Sequence, residues 1–357
     1  MLDGKMQELK QLFEDSFQGK IQGYLQEFEK KSSGYRLPEV DYLESYSTLS
    51  ESFSPKFSIS LPLKNRENDI ADVLDTLVSS LNDPTELFIL FDNCEDQSET
   101  VVRTWLSSMN RWQKDALVVH LLRSGRDLFE STCENIIFRL SSGSYLVSTQ
   151  ADIYMEDKSF LSRSTSVLEK YSDVFAVSGR GVVNEARVSW SAYKYIWHLL
   201  SRIQIKTLNS KNRKFRLGIY FPGLLVYGDR SARPRSKMVF TQKQMRTLFI
   251  GPTILRGPVV WRAETFFNLG GYRDECFFLG RDEMDLCQRA YDRHGSYVGF
   301  VPSTSYSFLW QGTSHQKRSP AAEAEMSNRA ELAHRLCPDY FKPSKSFIYP
   351  RDYQRSF

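Results

Sequence analysis

The sequence predicts an α/β protein, a Rossmann-like and mostly parallel sheet sandwiched by helices, with a helical extension ahead of it. Three observations predict this. From Lys56 onward short apolar runs alternate with amphipathic segments, the pattern of repeated β-α units. The strand-like runs are apolar along their whole length, as strands covered on both faces are. At 357 residues and 41% hydrophobic content the chain can bury a large core, in one large or two modest domains.

Residues 5–31 carry apolar side chains at Met6, Leu9, Leu12, Phe13, Phe17, Ile21, Tyr24, Leu25 and Phe28, the spacing of an amphipathic helix. Lys and Glu share its polar face, so it reads as a docking helix: it either meets a second copy to form a homodimer or folds back on its own chain. Residues 32–55 are Ser-rich with Pro38 and Pro55 and read as a linker. Strands then follow at 57–63, 86–91, 116–122, 144–150 and 173–179, with helices at 67–81, 98–109, 129–142 and 158–170. Residues 180–255 break the rhythm. A helix is expected at 188–208. Between Lys206 and Arg246 stand eleven Lys/Arg and one acid, Asp229. That segment is either a solvated loop or a flap that meets an anionic ligand. GPVVWRAETFFNLGGY (257–272) reads as strand, helix and Gly turn, 296–302 as the last clear strand, and 303–357 as a polar tail. The expected organisation is therefore 1–55 extension, 56–180 first half, 181–302 second half and 303–357 tail packed on the main domain.

The net charge of +4 is mild and gives no case for a nucleic-acid partner. No apolar run reaches the roughly 18 residues of a membrane span, and MLDGKMQELKQLF lacks a signal-peptide core. The five cysteines are odd in number and form no CxxC pair, so they are expected to be reduced thiols of a cytoplasmic protein. The five His are dispersed and no HExxH occurs, which argues against zinc. Neither GxGxxG nor GxxxxGK[ST] follows the first strand, so neither a dinucleotide fold nor a P-loop is supported.

In a parallel α/β sheet ligands bind beyond the carboxyl ends of the strands. The loops expected there are polar: Pro62-Leu63-Lys64-Asn65-Arg66-Glu67, Asp92-Asn93-Cys94-Glu95-Asp96, Arg123-Ser124-Gly125-Arg126 and Gln150-Ala151-Asp152. Further along, GGYRDECFFLGRDEMDL places Asp282, Glu283 and Asp285 in a first helical turn. Acids there either complement the helix dipole or supply a catalytic carboxylate.

Taken in order, these motifs resemble the family-2 inverting glycosyltransferases of the GT-A fold. The resemblance covers 57–100, 121–156 and 251–302. It implies a hexosyl-type transfer from a UDP- or GDP-linked sugar to a glycan or lipid-linked glycan acceptor, as in polysaccharide biosynthesis, assisted by Mn2+ or Mg2+. Pro62 and Asn65 would shape the floor under the nucleotide base and ribose, and Glu67 would open the next helix and face the ribose or base. Asp92 and Asn93 would meet the base, although the family's two-acid register is altered here. Arg123 and Arg126 would reach phosphate. Asn135 stands where the family has an Arg-Asn pair, with Glu134 in place of the Arg. Asp152 would bind the metal. The family's Asp-x-Asp reads Gln150-Ala151-Asp152, so Gln150 would offer an amide oxygen or hold a ribose hydroxyl. His315 stands where relatives place a further metal ligand. Glu283 is the base if the motif is anchored on Leu286, and Asp282 if it is anchored on Gly280. Asp285 would cap or buttress the helix. Trp261 and the aromatics at 272–278 either stack on sugars or belong to the core. Trp190, Tyr193, Tyr195 and Trp197 beside basic residues would suit peripheral contact with a membrane surface. Two other readings stand beside the transferase: a catalytically degenerate binding or scaffold module, and a sugar nucleotidyltransferase, whose usual Gly-rich loop SLPLKNREN lacks.

Overall fold

The computed structural model describes residues 2–47, 53–108, 117–183, 215–217, 237–307, 318–338, 347–348 and 350–357. Most of the 180–255 insert, the helix expected at 188–208 with its aromatics, and His315 lie outside them.

One ten-stranded sheet organises the chain. Its strands in chain order are β1 (Val40–Ser47), β2 (Phe57–Leu63), β3 (Thr85–Asp92), β4 (Leu117–Ser124), β5 (Tyr145–Ser148), β6 (Val174–Ser178), β7 (Thr247–Gly251), β8 (Val259–Arg262), β9 (Tyr297–Phe300) and β10 (Gln354–Ser356). Across the sheet they lie in the order β1-β4-β3-β2-β5-β8-β6-β9-β7-β10. β2 to β6, β9 and β10 run one way; β1, β7 and β8 run against them. The described helices of six residues or more are α1 (Leu2–Lys31), α2 (Ile70–Ser79), α3 (Ser98–Ser108), α4 (Glu130–Leu140), α5 (Phe160–Lys170), α6 (Ala263–Asn268), α7 (Asp282–His294) and α8 (Pro320–Leu336). This is the layered α/β arrangement expected from the sequence, helical extension included.

Period-two alternation feeds two cores from one strand. Leu87, Ile89 and Phe91 of β3 join Ile70, Val73 and Leu74 of α2, Val102 of α3 and Leu168 of α5 on one face. Phe88 and Leu90 point the other way, to a core shared with Phe17, Ile21, Tyr24 and Phe28 of α1, Ile136 and Ile137 of α4, and Leu286 and Ala290 of α7. The apolar stripe of α1 from Phe17 is therefore used within its own chain, which is the fold-back alternative.

Three expectations are corrected. The 32–55 stretch is not only a linker, because β1 forms there and pairs antiparallel with β4, with a register shift between Tyr42 and Glu44. Its Ser-rich composition hides a strand that an exposed sheet edge recruits. The polar tail contains α8 and β10. α8 starts at Ser319, whose hydroxyl accepts the Ala322 N–H at 3.3 Å, with Pro320 opening the first turn. Cys276 and Cys337 form a disulfide with Cα atoms 6.1 Å apart, while Cys94, Cys133 and Cys287 are free thiols. The pairing is set by the docking of α8 beside the 272–280 loop, across 61 residues of chain, and no local spacing announces it. No described helix is long and apolar enough to cross a membrane.

The docking of α1 has a measurable weight. Phe28 is buried and its ring lies 5.1 Å from the Arg329 guanidinium of α8. Phe28→Ala is expected to cost about 3–5 kcal/mol of stability, read by urea denaturation; a loss below ~1 kcal/mol would show that α1 is dispensable to the fold.

Candidate active site

Strand register brings the polar residues together. Val259 of β8 lies level with Ser148 of β5 on one side and Ser178 of β6 on the other, and Phe300 of β9 is level with Ser178. β5, β6 and β9 end at this row and β8 begins there. Gln150 and Asp152 therefore leave the sheet beside Arg180, with Arg256 entering β8 between them. Two helices start at the same edge: α4, with Glu130 and Glu134, and α7, with Asp282 and Glu283.

Arg256 is the centre of this arrangement. Its guanidinium is buried and meets four carboxylates: Glu130 at 3.0 Å, Glu134 at 3.8 Å, Asp282 at 2.5 Å and Glu283 at 2.9 Å. It also lies 5.0 Å from the Tyr272 ring centre. Asp282 is fully buried and further accepts the Ser131 hydroxyl. Glu134 is fully buried as well, and its carboxylate accepts the Ser148 hydroxyl at 3.0 Å, which in turn accepts the Trp261 indole N–H at 2.9 Å. Glu130 and Glu283 keep 27% and 15% of their side chains open to solvent. The charges decide who holds protons. Burial raises Asp282 well above the usual carboxylate range, with Arg256 opposing. Burial also lifts Glu130, and it lifts Glu134 to about 7, again against the pull of Arg256. Desolvation disfavours the Arg256 charge, but the surrounding carboxylates reverse this and raise its pKa well above the ordinary value.

The approach of α7 is fixed by a loop with an internal latch. Asn135 of α4 donates to the Tyr272 carbonyl at 2.8 Å and to Asp274 at 2.9 Å, and accepts the Tyr272 N–H at 2.9 Å. Gly271 has φ +71°, and a Cβ there would lie 2.7 Å from the Asn135 amide oxygen, so glycine is required on both counts. Asp274 also accepts hydroxyls from Tyr24 of α1 and Thr132 of α4. Asp285 grips Arg289 at 2.7 Å, and Arg289 donates to the carbonyls of Leu269 and Gly271. Asp285 thus has the buttressing place expected of it. Trp261 and Tyr272 are core residues.

The remaining sequence candidates divide into groups. Pro62, the last residue but one of β2, lies beside Leu90 of β3. Asn65 accepts the Glu95 N–H at 2.8 Å, and Glu67 accepts the Gln97 N–H at 2.9 Å while its own N–H reaches Asp96 at 3.0 Å. These bonds tie the loop after β2 to the loop after β3. Asp92 is buried and accepts the N–H groups of Leu128 and Phe129 at 2.7 and 3.1 Å; burial moves its pKa up to about 6. Its carboxylate shapes the 127–129 turn rather than facing outward. Asn93 donates to Asp127 at 2.9 Å. Arg123 pairs with Glu99 at 3.4 Å, and Arg126 reaches the Arg36 carbonyl at 3.3 Å and Glu325 at 3.9 Å. Both arginines are exposed and sit apart from the Arg256 cluster in their contacts. Asn135 spends its amide on the 272–274 loop. Gln150 donates to Glu130 at 2.8 Å and accepts from Arg180 at 3.3 Å.

Asp152 is half-buried and makes no hydrogen bond or ion pair among the described residues. No group of three or more His, Cys, Asp or Glu among the described residues is arranged to hold a metal ion. Of the expected ligands, Asp152 keeps a carboxylate that is unbonded among the described residues, the amide oxygen offered by Gln150 accepts from Arg180, and His315 lies outside the described residues. The described residues do not fit a protein-held divalent ion.

Sequence reasoning missed Arg256, Glu130 and Arg180. Each stands in an unremarkable context, and only the shared strand row joins them. Glu134 gave a faint signal as an acid in place of a basic residue; its partner Arg256 explains the exchange.

Neither a protein-family model nor a curated protein sequence matches the chain. Among solved structures it is similar to the mannosyltransferase PcManGT from Pyrobaculum calidifontis in complex with GDP-Man and Mn2+, at 13% identity and TM-score 0.46 over 94% of this chain and 76% of that one. It is similar to S. aureus TarS 1-349 at 11% identity and TM-score 0.41, over 81% and 73% of the two chains. Glucosyl-3-phosphoglycerate synthase from Mycobacterium tuberculosis gives 13% and 0.41, over 93% and 90%. These likenesses are distant, and the chemistry of the site is derived from this chain's own residues.

Two outcomes follow from the charge cluster. With Glu134 raised to about 7 against about 4.3 in the unfolded chain, the folded state holds a proton that the unfolded state has released. Stability is then full at the acid end of that window and falls as pH rises through it. Thermal melts from about pH 5 to 8 should show this slope, and Glu134→Gln should flatten part of it, Asp92 supplying a share of the rest. An unchanged slope would contradict the assignment. Arg256→Leu should cost about 3–5 kcal/mol near neutral pH, because buried carboxylates lose the cation they share, and less near pH 5, where they take up protons; urea denaturation at the two pH values checks both.

Proposed function

We propose that the chain is a glycosyltransferase that moves a sugar from a UDP- or GDP-linked donor to an acceptor hydroxyl with inversion, Glu283 being the base. The single observation that carries this reading is the Arg256 cluster. It presents Glu283, partly open to solvent and oriented by Arg256 at 2.9 Å, at the carboxyl edge of the sheet, while its rival Asp282 is sealed behind it. Between the two alignments of the base motif, burial therefore favours Glu283: a group with no solvent-facing surface does not meet an acceptor. The motif order of the sequence supplies the substrate class.

The chemistry is a displacement. Glu283 takes the proton of the acceptor hydroxyl as its oxygen attacks the anomeric carbon. The bond from that carbon to the diphosphate breaks on the opposite side, and the electron pair leaves with the phosphate oxygen. The loops after β2 and β3, cross-tied through Asn65, Glu67 and Asp96, form the floor proposed for the nucleotide. The acceptor is proposed to be a glycan or a lipid-linked glycan.

A second reading, a transferase-like binding module without turnover, is favoured by one observation: Gln150 replaces an acid and both ends of its amide are engaged. Hydrolysis of UDP- and GDP-sugars separates the two. Glu283→Gln should lower turnover by about 10²–10⁴-fold while leaving nucleotide binding in place. Full activity in that variant would overturn the base assignment. Binding without any turnover of the wild-type protein would favour the module, and release of pyrophosphate in place of nucleoside diphosphate would point to nucleotidyl transfer.

A further inference from the structure

We propose that Arg180, in place of a protein-held divalent ion, receives the diphosphate of the donor. This rests on the transferase reading above and adds to it the cation of the site. The strand row sets the geometry: Arg180 stands two residues beyond Ser178, and Gln150 two beyond Ser148, on either side of the residues entering β8. The Arg180 Nη1 donates to the Gln150 amide oxygen at 3.3 Å and to the Arg256 carbonyl at 3.1 Å. Its backbone N–H is held by the Ser178 hydroxyl at 3.0 Å. The guanidinium is thus anchored through one nitrogen. Its Nε and Nη2 have no partner, and the side chain meets no carboxylate, among the described residues.

Gln150 is locked from both ends, since its NH2 is spent on Glu130 at 2.8 Å. Gly257, at φ +70°, lets the amide come close, because a Cβ there would sit 3.1 Å from the same amide oxygen. An acid at position 150 would gather a cation between itself and Asp152. A neutral amide bonded to a guanidinium does the reverse: it holds the positive charge of Arg180 in place and has its own oxygen engaged. A half-buried arginine whose Nε and Nη2 are unbonded among the described residues is suited to two phosphate oxygens at once. When the bond from the anomeric carbon to the diphosphate breaks, the charge that appears on the departing oxygens falls to those N–H groups. Asp152, which meets no cation among the described residues, accepts hydroxyls of the donor.

Calorimetric titration of UDP and GDP, with uridine and guanosine as controls, tests this. The wild-type protein should bind one of the diphosphates in EDTA with an affinity within about threefold of that in Mn2+. Arg180→Ala should weaken the diphosphate at least about tenfold and leave the matching nucleoside unchanged, and Arg180→Lys should recover part of the loss. A merely structural arginine would weaken nucleoside and diphosphate alike, which overturns the proposal. So does diphosphate binding that disappears in EDTA, or an Arg180→Ala variant that binds as the wild type does. If neither nucleotide binds with or without Mn2+, the transferase reading falls and this proposal with it; the EDTA and Arg180→Ala outcomes strike the proposal alone.

Discussion

One buried guanidinium shared by four carboxylates is the constraint around which the site is built. Removing Arg256 from water is costly, and removing Glu134 and Asp282 with it costs more. The arrangement is tolerable because Glu130, Asp282 and Glu283 stand in first helical turns, where the backbone dipole favours negative charge, and because the deepest carboxylates are driven toward their protonated forms. The consequence is positional. Helices α4 and α7 come from distant parts of the chain, yet both first turns must converge on the same cation, so the edge of the sheet between β5 and β6 has little freedom to change.

A second polar centre holds the other side of α7. Asp274 collects hydroxyls from α1 and α4, an amide from Asn135, and a bond from Arg329 of α8 to its backbone carbonyl at 2.8 Å. Arg329 is buried between the rings of Phe28 and Phe278, 5.1 Å from each. The disulfide from Cys276 to Cys337 closes the same region. Both ends of the chain, outside the stretches that resemble the glycosyltransferase motifs, thereby clamp the loop that delivers Glu283. The extension and the tail belong to the architecture of the site rather than to its periphery.

The polar residues at the sheet edge separate into two kinds. Asn65, Glu67, Asp92, Asn93 and Asn135 satisfy backbone and side-chain groups of neighbouring loops, and so give the edge its shape. Among the described residues, Glu283, Asp152 and Arg180 keep solvent-facing or unbonded polar atoms. Buried polar groups are normally bonded, so the unspent ones are where a ligand has something to gain. This distinction moves the centre of interest from the asparagines to Arg180 and Glu283.

The sequence by itself determined the layers. Alternation within β3, the 3–4 spacing in α1 and α2, and the Gly-Gly turn before α7 are local signals, because each depends on neighbours within one turn or one pleat. It also marked Asp152 and the 282–285 acids as unusual. Only the tertiary structure decided that β1 and β10 complete the sheet, that Cys276 meets Cys337, that Asp282 is sealed while Glu283 is open, and that Arg180 and Arg256 share one edge. The last of these follows from strand order and register, which bring Ser148, Val259 and Ser178 into one row, and a row across three strands leaves no trace in the spacing along any one of them; the others follow from helices and chain ends docking across long stretches of sequence.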